Sequence, residues 1–225
     1  MSASYAPHTT SETLLRVLRA AGPSWARSTN ARFIREATHG GVSDDVLGRY
    51  LQIERDFVET SARLRAAAAA TSPTTRALDV HRRALNSLLD SQGPRLRDAI
   101  EHLEAKPEVS APAWDLARQL SRHVLSVAQA GDYAQILTVI LTAEELYATW
   151  CAVAARVAAT RNPVLTDWIE LHVSPPFTDE IAELTSGLEA LDLPDSAIAE
   201  LGACAARVLD LEVIFHDSAY ILTKS

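Results

Sequence analysis

Positive charge is in short supply. Across 225 residues, 21 Lys+Arg stand against 29 Asp+Glu, a formal net charge of −8. A nucleic-acid binder carries a basic stripe that neutralises phosphates, so no nucleic-acid partner is expected. Cysteine is scarcer: Cys151 and Cys204 are too few for a disulfide framework or a zinc knuckle. Apolar runs such as 124–127 are interrupted within a few residues, so a membrane span of ~20 apolar residues is not expected. The opening Met-Ser-Ala-Ser-Tyr-Ala-Pro-His has neither the basic start nor the apolar stretch of a signal peptide. These absences lead to the expectation of a soluble, cytoplasmic chain with no membrane partner.

Strand signals and the common catalytic signatures are missing as well. No alternating apolar/polar run of strand length is bounded by turns, and neither Asn-Gly nor Asp-Gly occurs. There is no Gly-x-Gly-x-x-Gly, P-loop, His-Glu-x-x-His or Gly-x-Ser-x-Gly. The histidines stand at positions 8, 39, 81, 102, 123, 172 and 216, with no two spaced i, i+3 or i, i+4. A helical histidine metal site therefore has little support, and the expectation is no metal and no cofactor.

What is present reads as helix. Hydrophobic residues make up 48% and charged residues 22%, the balance of a globular chain. Ser43-Asp44-Asp45 offers a cap and two acids to a helix start. From there Val46, Leu47, Tyr50, Leu51, Glu54, Phe57, Val58 and Ala62 recur at three- and four-residue steps, and the run stops before Pro73. Ser110 followed by Pro112 predicts another start. Residues 132 to about 160 are apolar on more than one side, which predicts a central buried helix, and a last helix is predicted from about 196 to 222. The expected architecture is all-α, seven to nine helices in a single bundle over residues 11–225, with residues 1–10 a flexible tail.

Three candidate positions follow from the helical spacing. Tyr50, Glu54 and Phe57 share one face. A carboxylate on an inward apolar face must find a donor, and either a ligand amine or an arginine from another helix can serve. Glu212 sits within Val208-Leu209-x-Leu211-Glu212-Val213-Ile214-Phe215, an apolar setting of the kind that raises a carboxyl pKa toward working pH. Glu144 and Glu145 are adjacent, so only one can point inward; Glu144 is expected to, because it lies three residues before Tyr147.

Three stretches stand in a telling order. The first is Phe33-Ile34, Gly40-Gly41-Val42-Ser43, Leu47, Tyr50-Leu51, Glu54 and Phe57. The second is Ala128-x-x-Gly131, then Ala143-Glu144-Glu145-Leu146-Tyr147-Ala148-Thr149-Trp150. The third is Asn162-Pro163 to Trp168-Ile169, Phe177, and Leu211-Glu212-x-x-Phe215-x-Asp217-x-Ala219. In this order and at these spacings the chain resembles the TenA/thiaminase II family over roughly residues 30 to 222. That resemblance implies a haem-oxygenase-like all-α fold. It also implies a homo-oligomer, dimer or tetramer, that takes a small aminopyrimidine derived from damaged thiamin and hydrolyses it without metal.

By the same resemblance, Glu54 holds the pyrimidine amine and Phe57 stacks on the ring. Glu212 handles protons with Phe215 one turn along, and Tyr147 matches the tyrosine of the central helix. One branch of the family carries a cysteine four residues before that tyrosine, where this chain has Ala143. The pattern Ala-Glu-Glu-x-Tyr-x-x-Trp instead resembles the branch without the cysteine, whose glutamate matches Glu144. Leu165 stands where a further tyrosine is expected. The leading expectation is therefore an aminopyrimidine hydrolase of thiamin salvage, with Glu212 and Glu144 as acid–base catalysts and Glu54, Phe57, Tyr147 and Phe215 binding substrate. The alternatives are a binding-only or regulatory relative, and a haem-oxygenase-like di-iron oxidase. The latter would need carboxylates and histidines on facing helices, whereas Ser61 falls where a histidine is called for.

Overall fold

The computed structural model describes residues 6–7, 9–103 and 107–222; of the expected N-terminal tail, residues 1–5 and 8 lie outside the described residues. Helices are α1 (Glu12–Ala20), α2 (Gly22–Thr29), α3 (Arg32–His39), α4 (Asp44–Thr71), α5 (Thr75–Ser87) and α6 (Gly93–His102). They continue with α7 (Ala111–Ala130), α8 (Tyr133–Arg156), α9 (Pro163–Leu171), α10 (Pro175–Glu189) and α11 (Asp195–Ser218). No strand occurs among the described residues, so the fold is all-α as the sequence predicts. Among the described residues eleven α-helical pieces occur; taking the three short pieces of residues 12–39 together leaves nine, within the predicted seven to nine.

Local chemistry accounts for most of the helix ends. Ser43 caps α4 by accepting from the Val46 N–H, with Asp44 and Asp45 in the first turn. Ser110 does the same for α7 through the Ala113 N–H, with Pro112 just inside the helix. Ahead of Gly93-Pro94 the chain passes through a π turn, Leu88–Gln92, where the Gly93 N–H reaches back to the Leu88 carbonyl.

The helices fall into two compact units. The first combines the chain up to Gly41 with Leu137–Val213; the second combines Val42–Ile136 with the chain from Ile214 onward. In the first unit α1 packs on α10 and α2, and it meets α11 through small residues: a Cβ placed on Gly202 would stand 2.4 Å from the Ala20 Cβ. Its core includes Leu14, Phe33, Ile34, Leu141, Trp150, Leu188 and Leu209, all fully buried.

Arg161 organises one end of this unit. It donates to the carbonyls of Ala37 (2.8 Å) and Thr38 at the end of α3. It also donates to those of Ala154 (2.9 Å) and Val157 (3.3 Å) at the end of α8. A cation thereby satisfies the orphan carbonyls of two helix C-termini and complements both dipoles. It also explains why α8 stops at Arg156 rather than near 160. The α3 end turns through Gly40 at φ 77°, where a Cβ would lie 2.3 Å from the Thr160 carbonyl oxygen, so only glycine fits.

In the second unit α4 is the hub, packing on α5, α6 and α7. The last described residues are clasped there. Buried Arg49 donates its Nε to the Ala219 carbonyl at 2.6 Å, and Ser110 Oγ donates to the Ile221 carbonyl at 3.3 Å. The guanidinium ends α11 four residues short of the predicted 222, again by taking a carbonyl a further turn would need.

One helix corrects the reading of apolar runs. By length and composition α8 could cross a membrane, because its threonines and alanines dilute each short run without making the whole helix polar. In the structure 78% of its most apolar stretch is buried inside the protein, the pattern of a core helix.

Candidate functional site

On α4, Glu54 is 8% exposed. Tyr50 lies one turn before it and Phe57 one turn after, so the three share a face. In this second unit, Phe57 and Phe215 meet edge to face with centroids 5.4 Å apart. Tyr50 meets Phe215 at 6.4 Å, nearly perpendicular, and stacks on His216 at 5.7 Å and 16°. Such aromatic pairs hold their rings in fixed orientations. His216 is fully buried. Its stacking role was not visible in the sequence, although its place beside Phe215 was the one available signal.

In the first unit the central helix carries Glu144, Glu145 and Tyr147. Glu145, not Glu144, is the fully buried member of the acidic pair; Glu144 is half-buried. The reason is a buried stripe along α8, Thr138, Thr142, Glu145 and Thr149, which sets the inward direction at steps of three and four. Glu145 Oε1 accepts the Thr9 backbone N–H at 2.7 Å. Glu212, on α11, is 2% exposed among the buried Leu209, Leu211 and Phe215 of its own helix, so its carboxyl group sits away from bulk water.

Tyr147 lies in a cluster of rings. Its centroid is 5.9 Å from Trp150, 6.2 Å from Trp168 and 5.1 Å from His172. His172 in turn lies 4.5 Å from Trp168 and 4.8 Å from Phe177. Its Nδ1 is 2.7 Å from the Trp168 carbonyl oxygen. Burial pulls its pKa down to about 4, against a smaller upward pull from that hydrogen bond. His172 is a residue that sequence reasoning missed. Its spacing of four from Trp168 was legible, whereas the approach of Tyr147 from another helix was not.

Cys151 is fully buried and its thiol pKa is pushed well up by desolvation, the state of an inert core residue rather than a thiolate nucleophile. No group of three or more His, Cys, Asp or Glu that could hold a metal ion occurs among the described residues.

A profile of the TENA/THI-4/PQQC family matches residues 18–221. The chain belongs to that family. No curated protein matches it. Several solved structures do, TenA homologues among them. One, described as a TenA family transcription regulator from a Silicibacter species, is 19% identical with TM-score 0.79, covering 95% of this chain and 97% of its own. Another, from Sulfolobus solfataricus and proposed to be a TenA-like thiaminase, is 17% identical with TM-score 0.71, covering 91% and 93%. A domain of unknown function with a haem-oxygenase-like fold, from Shewanella denitrificans, is 14% identical with TM-score 0.69, covering 92% and 91%. At these identities the likeness establishes the fold, which is haem-oxygenase-like.

Proposed function

We propose that this chain is a TenA-like aminopyrimidine hydrolase acting in thiamin salvage, of the branch that works without an active-site cysteine. The observation that carries the reading is Glu212, a carboxyl group 2% exposed on a largely apolar helix of a TENA/THI-4/PQQC family member. Hydrolysis breaks a C–N bond, places the hydroxyl of water on the carbon, and delivers a proton to the departing amine. One acid must begin neutral and another ionised. Glu212, the more deeply buried of the two, takes the neutral role. Glu144, half-buried, suits the ionised one. Glu54 anchors the substrate amine, with Phe57, Tyr147 and Phe215 against the ring. The reading carries with it a homo-oligomer and a cytoplasmic location.

Glu212→Gln keeps the shape of the side chain but cannot transfer a proton. It is expected to lower kcat by about 10²–10⁴-fold while leaving the Kd for a 4-aminopyrimidine within about threefold. Glu54→Gln is expected to weaken binding about tenfold, since an amide accepts poorly from an amine. Steady-state kinetics and calorimetry separate the two. If both variants behave alike in kcat and Kd, the division of labour is wrong.

A second reading is a relative that binds the same ligand without turnover. It draws on Ala143 in place of the cysteine, Leu165 in place of a tyrosine, and the regulator among the similar structures. Aminopyrimidine binding with no turnover in the wild type would select it.

A further inference from the structure

His172 stands between Trp168 and Phe177, two aromatic residues of the third sequence stretch, and faces Tyr147 of a third helix. Each centroid lies 4.5–5.1 Å from the imidazole. The Trp168 carbonyl can only accept, so the Nδ1 at 2.7 Å must carry the proton. Burial keeps the ring neutral at physiological pH. The one remaining polar atom, Nε2, therefore presents a bare lone pair in a fixed direction. The carbonyl sets its tautomer, and three neighbouring rings restrict its rotation.

From this geometry we infer that His172 is a further substrate-binding residue, whose Nε2 accepts a hydrogen bond from an N–H of the aminopyrimidine that Tyr147 contacts. The inference rests on the aminopyrimidine reading given above. It adds a chemical rule of selection. A fixed acceptor welcomes an amino substituent and is left unpaired by a methyl group of the same size, and a buried polar group left unpaired is what makes such discrimination steep. A ring serving only to pack would make no such distinction.

The test compares calorimetric affinities of the intact protein for 4-aminopyrimidine and 4-methylpyrimidine, which match in size while only the first carries an exocyclic donor. The wild type is expected to prefer the amine. In His172→Phe, which keeps an aromatic ring and removes the lone pair, that preference is expected to fall about tenfold, the worth of one hydrogen bond. His172→Gln, whose Oε1 accepts, is expected to recover part of it, and covers the case in which the phenylalanine variant does not fold. A preference unchanged in both variants overturns the role of His172 and leaves the hydrolase reading standing. A wild type that binds the two probes equally overturns it too. A wild type that binds neither overturns both readings.

Discussion

His81 and His172 are imidazoles that the folded protein keeps neutral. Burial lowers each pKa from the ordinary 6.5 to about 4, with the nearby Arg65 charge adding to the effect at His81. His81 is fully buried, its Nε2 3.1 Å from the Tyr133 hydroxyl, and that phenol has its own pKa raised by desolvation. Linkage then fixes the sign. An unfolded chain protonates both rings below about pH 6.5, the native one only near pH 4, so acid favours unfolding. Stability is expected to be complete above pH 6.5, to fall as the pH drops from 6.5 to 4, and to lose nothing further from these rings below that. Each ring contributes on the order of 3 kcal/mol to the fall. Urea midpoints taken across that range check it, and His81→Gln should make the slope shallower by about one proton. A slope unchanged in that variant would show that His81 titrates normally in the fold. Residue identity was plain in the sequence throughout, but environment was not. Glu145 and Glu144 are chemically alike, and only the packing of α8 decides which is buried.

Arg161 and Gly40 act on whole elements. One guanidinium serves the C-termini of both α3 and α8, so its removal strips partners from carbonyls in two helices at once. Arg161→Ala is expected to cost about 2–4 kcal/mol, more than a surface arginine, with Arg161→Lys recovering less than half because an ammonium lacks the planar fork. Gly40→Ala is expected to cost about 1–3 kcal/mol, from its left-handed φ and the 2.3 Å approach to Thr160. Denaturant melts with a common m-value measure both. A loss under about 0.5 kcal/mol for Arg161→Ala would mean that water replaces the side chain at little cost. Helix starts were legible because Ser43 and Ser110 act within three residues. The end of α8 was not, because Arg161 folds back onto it from the loop that follows, nor was that of α11, because Arg49 reaches it from α4.

At the scale of the molecule, each unit is assembled from stretches far apart in sequence. Residues 42–136 lack the partners that 214–222 supply: Phe215 and His216 for Tyr50, the Ala219 carbonyl for Arg49, and the Ile221 carbonyl for Ser110. A fragment of residues 42–136 is expected to be less helical than the same fragment joined to 214–222 by a flexible linker, and to melt at least about 10 °C lower. Circular dichroism of the two fragments decides it, and equal melting points would show the last stretch to be dispensable. The all-α class could be read from periodicity alone, since each helix declares itself locally. The division into discontinuous units could not, since it depends on long-range pairing. The link from Thr9 to Glu145 has a practical consequence. Residues ahead of a first helix are routinely trimmed when a protein is prepared for crystallisation. Trimming past Thr9 here withdraws a backbone donor from a fully buried carboxyl group, a bond worth roughly 1–3 kcal/mol. The choice of where to begin an expressed fragment is thus an edit to the protein's interior.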